Sequence, residues 1–179
     1  MFFVTDVETA DTNYFNTGAL LTIGSVAVDE ESKEKVSYFY EKLDHTQAIK
    51  NPDTMKWWSE QSQEAYNEAF DGENRFSHGD AASEFQFWVN SLADKQNAFF
   101  AANPAHFDFG WINGLFHSTG ITNPFSHRAL CIRSMMYGIK GGKFGEKRGD
   151  EFHKPKIPHI AIDDAEAEAK NLIDLLIKE

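Results

Sequence analysis

The stretch "FFVTDVETAD", residues 2–11, ends an apolar run with two carboxylates, Asp6 and Glu8, one residue apart. A strand alternates its faces with period two, so both acids point to one side and Val7 to the other. Carboxylates that close repel each other, and burying either is costly unless something positive sits between them. No Lys or Arg precedes Lys33, which leaves a basic side chain from far along the chain or a divalent cation as the partner.

Two later stretches also hold acids in unusual surroundings. In "AANPAHFDFGW", Asp108 stands between Phe107 and Phe109 just past an apolar run, where it reads either as a helix N-cap or as a functional carboxylate. In "PHIAIDDAEAEAKN", His159 precedes Asp164 by five residues where a helical pattern begins. Asp163 and Asp164 both suit a first helical turn, whose dipole favours acids. A histidine, with an ordinary pKa of about 6.5, is suited to accept a proton at neutral pH.

Strands and helices must bring these groups together. Residues 2–7, 19–28 and 35–43 read as three strands, rich in β-branched and aromatic residues and joined by short polar links, so they should form an antiparallel meander. Asp53 is the expected N-cap of "TMKWWSEQ", followed by helical "QEAYNEAF" and by "HGDAASEFQFWVNSLA" with apolar residues at helix spacing. "NAFFAA" (97–102) is a fourth strand, "HFDFGWINGLFHSTG" a helix closed by Gly120, and "RALCI" a short fifth strand running into a helical turn. A final helix spans about 161–177, with Ala165, Ala169, Leu172, Ile173 and Leu176 inward. The loop 140–156 is rich in Gly and carries a net +3, so it reads as a phosphate-tracking segment or a solvated loop. Strands first, then strands alternating with helices, give an α/β mixed sheet covered by helices.

Composition bounds the function. The 179 residues suit one domain, 1–179, with 41% hydrophobic and 25% charged residues. A net charge of −11 argues against coating nucleic acid by bulk electrostatics, but not against an enzyme that takes one strand end into a metal-filled pocket. Sixteen Phe and four Trp are a heavy aromatic load, most of which must be core, although base-stacking surfaces also need such rings. The single Cys131 excludes an intramolecular disulfide framework and a cysteine-based zinc cluster, and fits a cytoplasmic protein. The first apolar stretch is too short for a signal peptide, and no run approaches the roughly 18 apolar residues of a membrane span.

The ordered set D-x-E, F-D and H-x-x-x-x-D resembles the DEDDh family of 3′-5′ exonucleases, which includes ribonuclease T and oligoribonuclease. The resemblance runs from Phe3 to Lys170. "NPDTMKWWSEQSQEA", "ANPAHFD" and "HIAIDDAEAEAK" look like the branch of the mycobacterial-type exoribonuclease and phage exonuclease A. It implies an RNase H-like fold, five strands in the order 3-2-1-4-5. It also implies that Asp6, Glu8, Asp108 and Asp164 bind two divalent cations, Mg²⁺ or Mn²⁺, and that His159 is the catalytic base. Asp163 sits one position off the family spacing and remains a helix-start acid. Pro104 stands where a small flexible residue is common, a local departure from the pattern. Two such ions about 3.5–4 Å apart would stabilise the attacking and leaving oxygens of phosphodiester hydrolysis.

The expected substrate is a single-stranded 3′ end, RNA rather than DNA, released as nucleoside 5′-monophosphates. A phage-type DNA exonuclease and a non-catalytic nucleic-acid-binding domain are the alternatives. Thr9, Ala10, Phe107 and Trp57 are the candidate substrate contacts, although "KWW" on a helix also suits a core. Homodimers are frequent among related exonucleases, so a dimer is expected from the resemblance.

Overall fold

The computed structural model describes residues 1–72, 75–140 and 152–177. Its sheet has five strands in the order β3-β2-β1-β4-β5. β1 (Phe2–Thr9), β2 (Leu20–Val28) and β3 (Lys35–Lys42) form the antiparallel meander. β4 (Phe99–Ala102) and β5 (Ala129–Cys131) add in parallel on the other side of β1. The long apolar β2 is buried along its whole length, as a strand covered on both faces should be.

The two faces hold two cores. Phe3, Val7 and Ile23 look towards Trp58, Phe85, Trp111 and Leu115, which belong to α1 (Pro52–Trp58), α3 (His78–Leu92) and α4 (Ala105–Thr119). The short α2 (Gln63–Phe70) joins this layer through Ala65 and Ala69. On the opposite face Val4, Val26 and Ala101 meet Ala165, Ala169, Leu172 and Leu175 of α6 (Ala161–Ile177), together with Ile132 and Met136 of α5 (Ile132–Lys140). Asp6 and Glu8 share the parity of Val4, so β1 aims both acids at the face that α6 covers.

Gly24 brings α6 close enough to use them. It is the cross-strand partner of Asp6, and a Cβ there would lie 2.3 Å from the carbonyl carbon of Ala161. Only a glycine lets the first residue of α6 rest on the sheet beside Asp6. Any side chain at 24 would push the helix start, and Asp164 with it, away from the acids.

Several boundaries differ from expectation for local reasons. β1 continues to Thr9, so both acids lie inside the strand. Asn51, not Asp53, caps α1: its side chain accepts from the N–H groups of Asp53 (2.9 Å) and Thr54 (3.2 Å), and Pro52 takes the first helical position, where no N–H is needed. A 3₁₀ turn (Thr17–Ala19) precedes β2. Asp108 is not the cap of α4, because that helix already begins at Ala105, with Pro104 at its N-cap. The helix ends at Gly120 as expected, in the left-handed conformation (φ 71°). Most of the basic loop 140–156 lies outside the described residues. Among the described residues no helix is long and apolar enough to cross a membrane.

Candidate active site

β1 extends past the end of β4, which pairs only with Phe2, Phe3 and Val4. Beyond that point Val7 N–H has no parallel neighbour, and it donates instead to Asp108 Oδ1 at 3.2 Å. This bond fixes a carboxylate from the first turn of α4 against the backbone between Asp6 and Glu8. Asp108 is only 3% exposed.

The fourth acid and the histidine come from the start of α6. Asp164 Oδ2 accepts a hydrogen bond from His159 N–H at 2.7 Å, folding the segment before the helix back over its first turn. His159 adopts φ 66°, a left-handed conformation that costs a non-glycine residue about 1 kcal/mol. The neighbouring Asp163 has a different task, since its Oδ2 accepts from Ile157 N–H at 3.1 Å and anchors the approach to that turn. The imidazole is held edge-on by Trp57, with ring centroids 4.7 Å apart, and by Trp58 at 6.5 Å. Trp58 itself is core, with Nε1–H donating to Thr9 O at 2.9 Å, so "KWW" supplies one buried ring and one that faces the site.

These elements enclose an open cavity of about 610 Å³. Eight of the nine residues singled out from the sequence line it: Asp6, Glu8, Thr9, Trp57, Phe107, Asp108, His159 and Asp164. Ala10 does not. It is fully buried, with its N–H on Ala19 O and its carbonyl accepting from Asn51 N–H. Pro104 lines the cavity beside Asn103, whose Oδ1 accepts from Arg133 Nε–H at 3.2 Å.

Sequence reasoning missed Glu168. It is 6% exposed, lines the same cavity and lies one turn beyond Asp164 on the same side of α6. The i, i+4 spacing from Asp164 was the available signal. Glu166, between them, turns away to Lys35 at 2.6 Å.

The electrostatics are those of a crowded negative site. Burial, then repulsion from Asp108, Glu8, Glu168 and Asp164, holds the Asp6 carboxyl well above its usual range. Glu8 is raised by burial and then by Asp164 and Asp108. Asp108 is pushed up to about 7, mainly by burial and despite the Val7 hydrogen bond. Burial lowers His159, which favours the neutral imidazole. No Lys or Arg is among the described residues that line the cavity. One ligating atom each from Glu8, His159 and Asp164 lies within 4.8 Å of the others. That is about the span across one cation's coordination shell, and hard divalent ions prefer such oxygen-rich donor sets. The residues present therefore fit a divalent metal.

The model of the 3′-5′ exoribonuclease Rv2179c-like domain matches residues 1–175. The 3′-5′ DNA exonuclease Cap18 of Escherichia coli is 35% identical over 105 residues, 54% of this chain and 56% of that protein. The match thus spans about half the length of this curated relative. Among solved structures, the nuclease domain of 3′hExo, a DEDDh family member bound to rAMP, aligns with a TM-score of 0.70 at 11% identity, covering 99% of this chain and 92% of that one. Cell-death related nuclease 4 (CRN-4) aligns at 0.69 with 13% identity, covering 99% and 64%. E. coli Exonuclease I in complex with a dA16 oligonucleotide aligns at 0.61 with 14% identity, covering 99% and 40%. At such identities the structural likeness shows the fold, the RNase H-like sheet of DEDDh exonucleases. With a family match over residues 1–175, the chain belongs to the Rv2179c-like 3′-5′ exoribonuclease domain family.

Proposed function

We propose that the protein removes nucleoside 5′-monophosphates from the 3′ end of single-stranded RNA, with divalent cations held by Asp6, Glu8, Asp108 and Asp164 and with His159 as general base. The observation that carries this reading is the convergence of those five side chains on one cavity from β1, α4 and the start of α6. When bound, two Mg²⁺ or Mn²⁺ ions supply Lewis acidity and stabilise charge on the attacking and leaving oxygens. The carboxylates orient those ions and are relieved of their mutual repulsion. His159, kept neutral by burial, takes the proton from the attacking water on an unprotonated ring nitrogen. Phe107 and Trp57 offer aromatic surface to the terminal nucleotide.

RNA is favoured because the matching family is one of exoribonucleases. The Cap18 relative, named as a DNA exonuclease, supports the second reading of a DNA substrate. Matched 5′-labelled RNA and DNA oligomers, single- and double-stranded, separate the two in the presence of Mn²⁺. The expected result is stepwise loss of mononucleotides from the 3′ end, fastest on single-stranded RNA. Faster loss from DNA would shift the substrate to the second reading, and no mononucleotide release from any oligomer would overturn both.

The register of the α6 acids has its own test. Metal that binds only the folded site stabilises it by about 2.7 kcal/mol at a hundred times its dissociation constant. Asp164→Asn should lose most of the rise in melting temperature produced by Mn²⁺. Asp163→Asn should keep it, because Asp163 is occupied with Ile157 N–H. Equal losses in both variants would refute the assignment of Asp164.

A further inference from the structure

We infer that Phe15 and Ile49 form a second, sequence-tolerant subsite outside the cavity, which stacks bases two to four nucleotides upstream of the 3′ end. The inference rests on the proposed nuclease reading and adds the part of the strand that the cavity does not hold. Phe15 is 82% exposed and Ile49 77% exposed, with Tyr14 beside them at 41%. The rings of Tyr14 and Phe15 lie 4.7 Å apart at 42°. Scattered exposed apolar residues are ordinary, but these sit on two tied segments that each run into the cavity wall.

One segment leads from Thr9 and Thr12, which line the cavity, to Phe15 three residues later. The other leads from Ile49 to Asp53 and Thr54, which line it too. Asn16 Nδ2–H donates to both Asp11 Oδ2 (3.0 Å) and Ile49 O (2.7 Å), and Asn51 N–H donates to Ala10 O at 2.9 Å, so the two segments are joined at the rim.

The backbone that carries the exposed rings is also held in place. Asp11 Oδ1 accepts from Thr12 N–H at 2.7 Å, and Asn13 Oδ1 accepts from Phe15 N–H at 3.2 Å. Tyr14 lies against α4 where Gly110 and Gly114 leave room. A Cβ at Gly114 would come within 2.8 Å of Tyr14 O, and one at Gly110 within 3.1 Å of its ring. A shelf on a fixed backbone loses less freedom when a base stacks on it than one on a mobile loop.

The distance from the cavity suits a single strand, and the charge of the chain limits how that strand could be held. Three residues of chain reach at most about 11 Å from Thr12 to Phe15. A stacked strand advances about 3.4 Å per nucleotide, so a shelf within that reach of the cavity rim would meet the second to fourth bases. A chain of net charge −11 is poorly suited to hold the strand by its phosphates, so stacking is the available source of affinity. The nearby Lys50 directs its Nζ over the Phe70 ring, 4.9 Å from the centroid.

The test compares binding and cleavage by strand length. Fluorescence polarisation of a 5′-labelled hexa-adenylate RNA on the full chain carrying Asp108→Asn should show about 5- to 100-fold weaker binding when Phe15→Ala is added. Phe15→Tyr should restore it. In the otherwise unaltered enzyme, Phe15→Ala should lower the ratio of kcat/KM for the hexamer over that for a dinucleotide by a similar factor. Unchanged hexamer affinity, or equal losses on hexamer and dinucleotide, would overturn the subsite. Failure of the nuclease reading looks different: the unaltered enzyme would then cleave neither length, while the binding comparison still reports on the shelf.

Discussion

Asp108→Asn should abolish exonuclease activity and at the same time make the metal-free protein more stable at neutral pH. Asparagine keeps the shape of the side chain and can still accept from Val7 N–H. It removes one negative charge from a site where Asp6, Glu8 and Asp164 already repel it. Several kcal/mol of transition-state charge stabilisation would go with the lost ligand, a fall in turnover of about 10³-fold or more.

The stability gain has a defined pH dependence. The folded-state pKa of Asp108 is raised from 3.8 to about 7, so folding takes up a proton between those values. Its stabilising contribution is complete below about 3.8 and is lost as pH rises through about 7. The variant should therefore match the wild type near pH 4 and exceed it by pH 8. The ceiling is on the order of 4 kcal/mol, and each kcal/mol moves the melting temperature by about 2–4 °C in a chain of this size. Added Mn²⁺ should reverse the ranking, because the wild type alone recovers a complete ligand set. Melting curves across pH, with and without metal, would show this. A variant with wild-type turnover, or one no more stable than the wild type at pH 8 without metal, would remove Asp108 from the metal site.

The features legible in the sequence are those that depend on local spacing. The D-x-E alternation placed Asp6 and Glu8 on one face of β1, and the five-residue interval from His159 to Asp164 survives as a direct hydrogen bond. The sheet order followed from the family resemblance and matches what is observed. Long-range contacts were not readable. That Gly24 clears the way for Ala161 depends on a cross-strand register and a helix approach that no local pattern encodes. The split between Trp57 and Trp58 depends on where α1 meets β1. Glu168 was hidden for another reason. In a helix with acids at 163, 164, 166 and 168, only the position of the sheet tells which of them turn inward.

His159 provides the other large expected effect, because among the described residues it is the one imidazole that lines the cavity, and the proposed reading gives it the proton while the acids hold metal. His159→Ala should lower the turnover number by about 10²–10⁴-fold. The Mn²⁺-induced rise in melting temperature should persist, since Asp6, Glu8, Asp108 and Asp164 remain. The pH–rate profile adds a second readout. Burial holds the imidazole below its ordinary 6.5, so the wild type should stay active down to that lowered pKa and decline below it as the base is protonated. The variant should lose this acidic limb. Glu8, His159 and Asp164 also stand close enough to share one ion, which makes ligation by His159 the competing role. The two roles part on metal binding: a ligand would take the Mn²⁺ stabilisation with it when removed, whereas a base would leave it in place. A His159→Ala protein that loses its metal response, or that turns over at the wild-type rate, would end the assignment of His159 as the base.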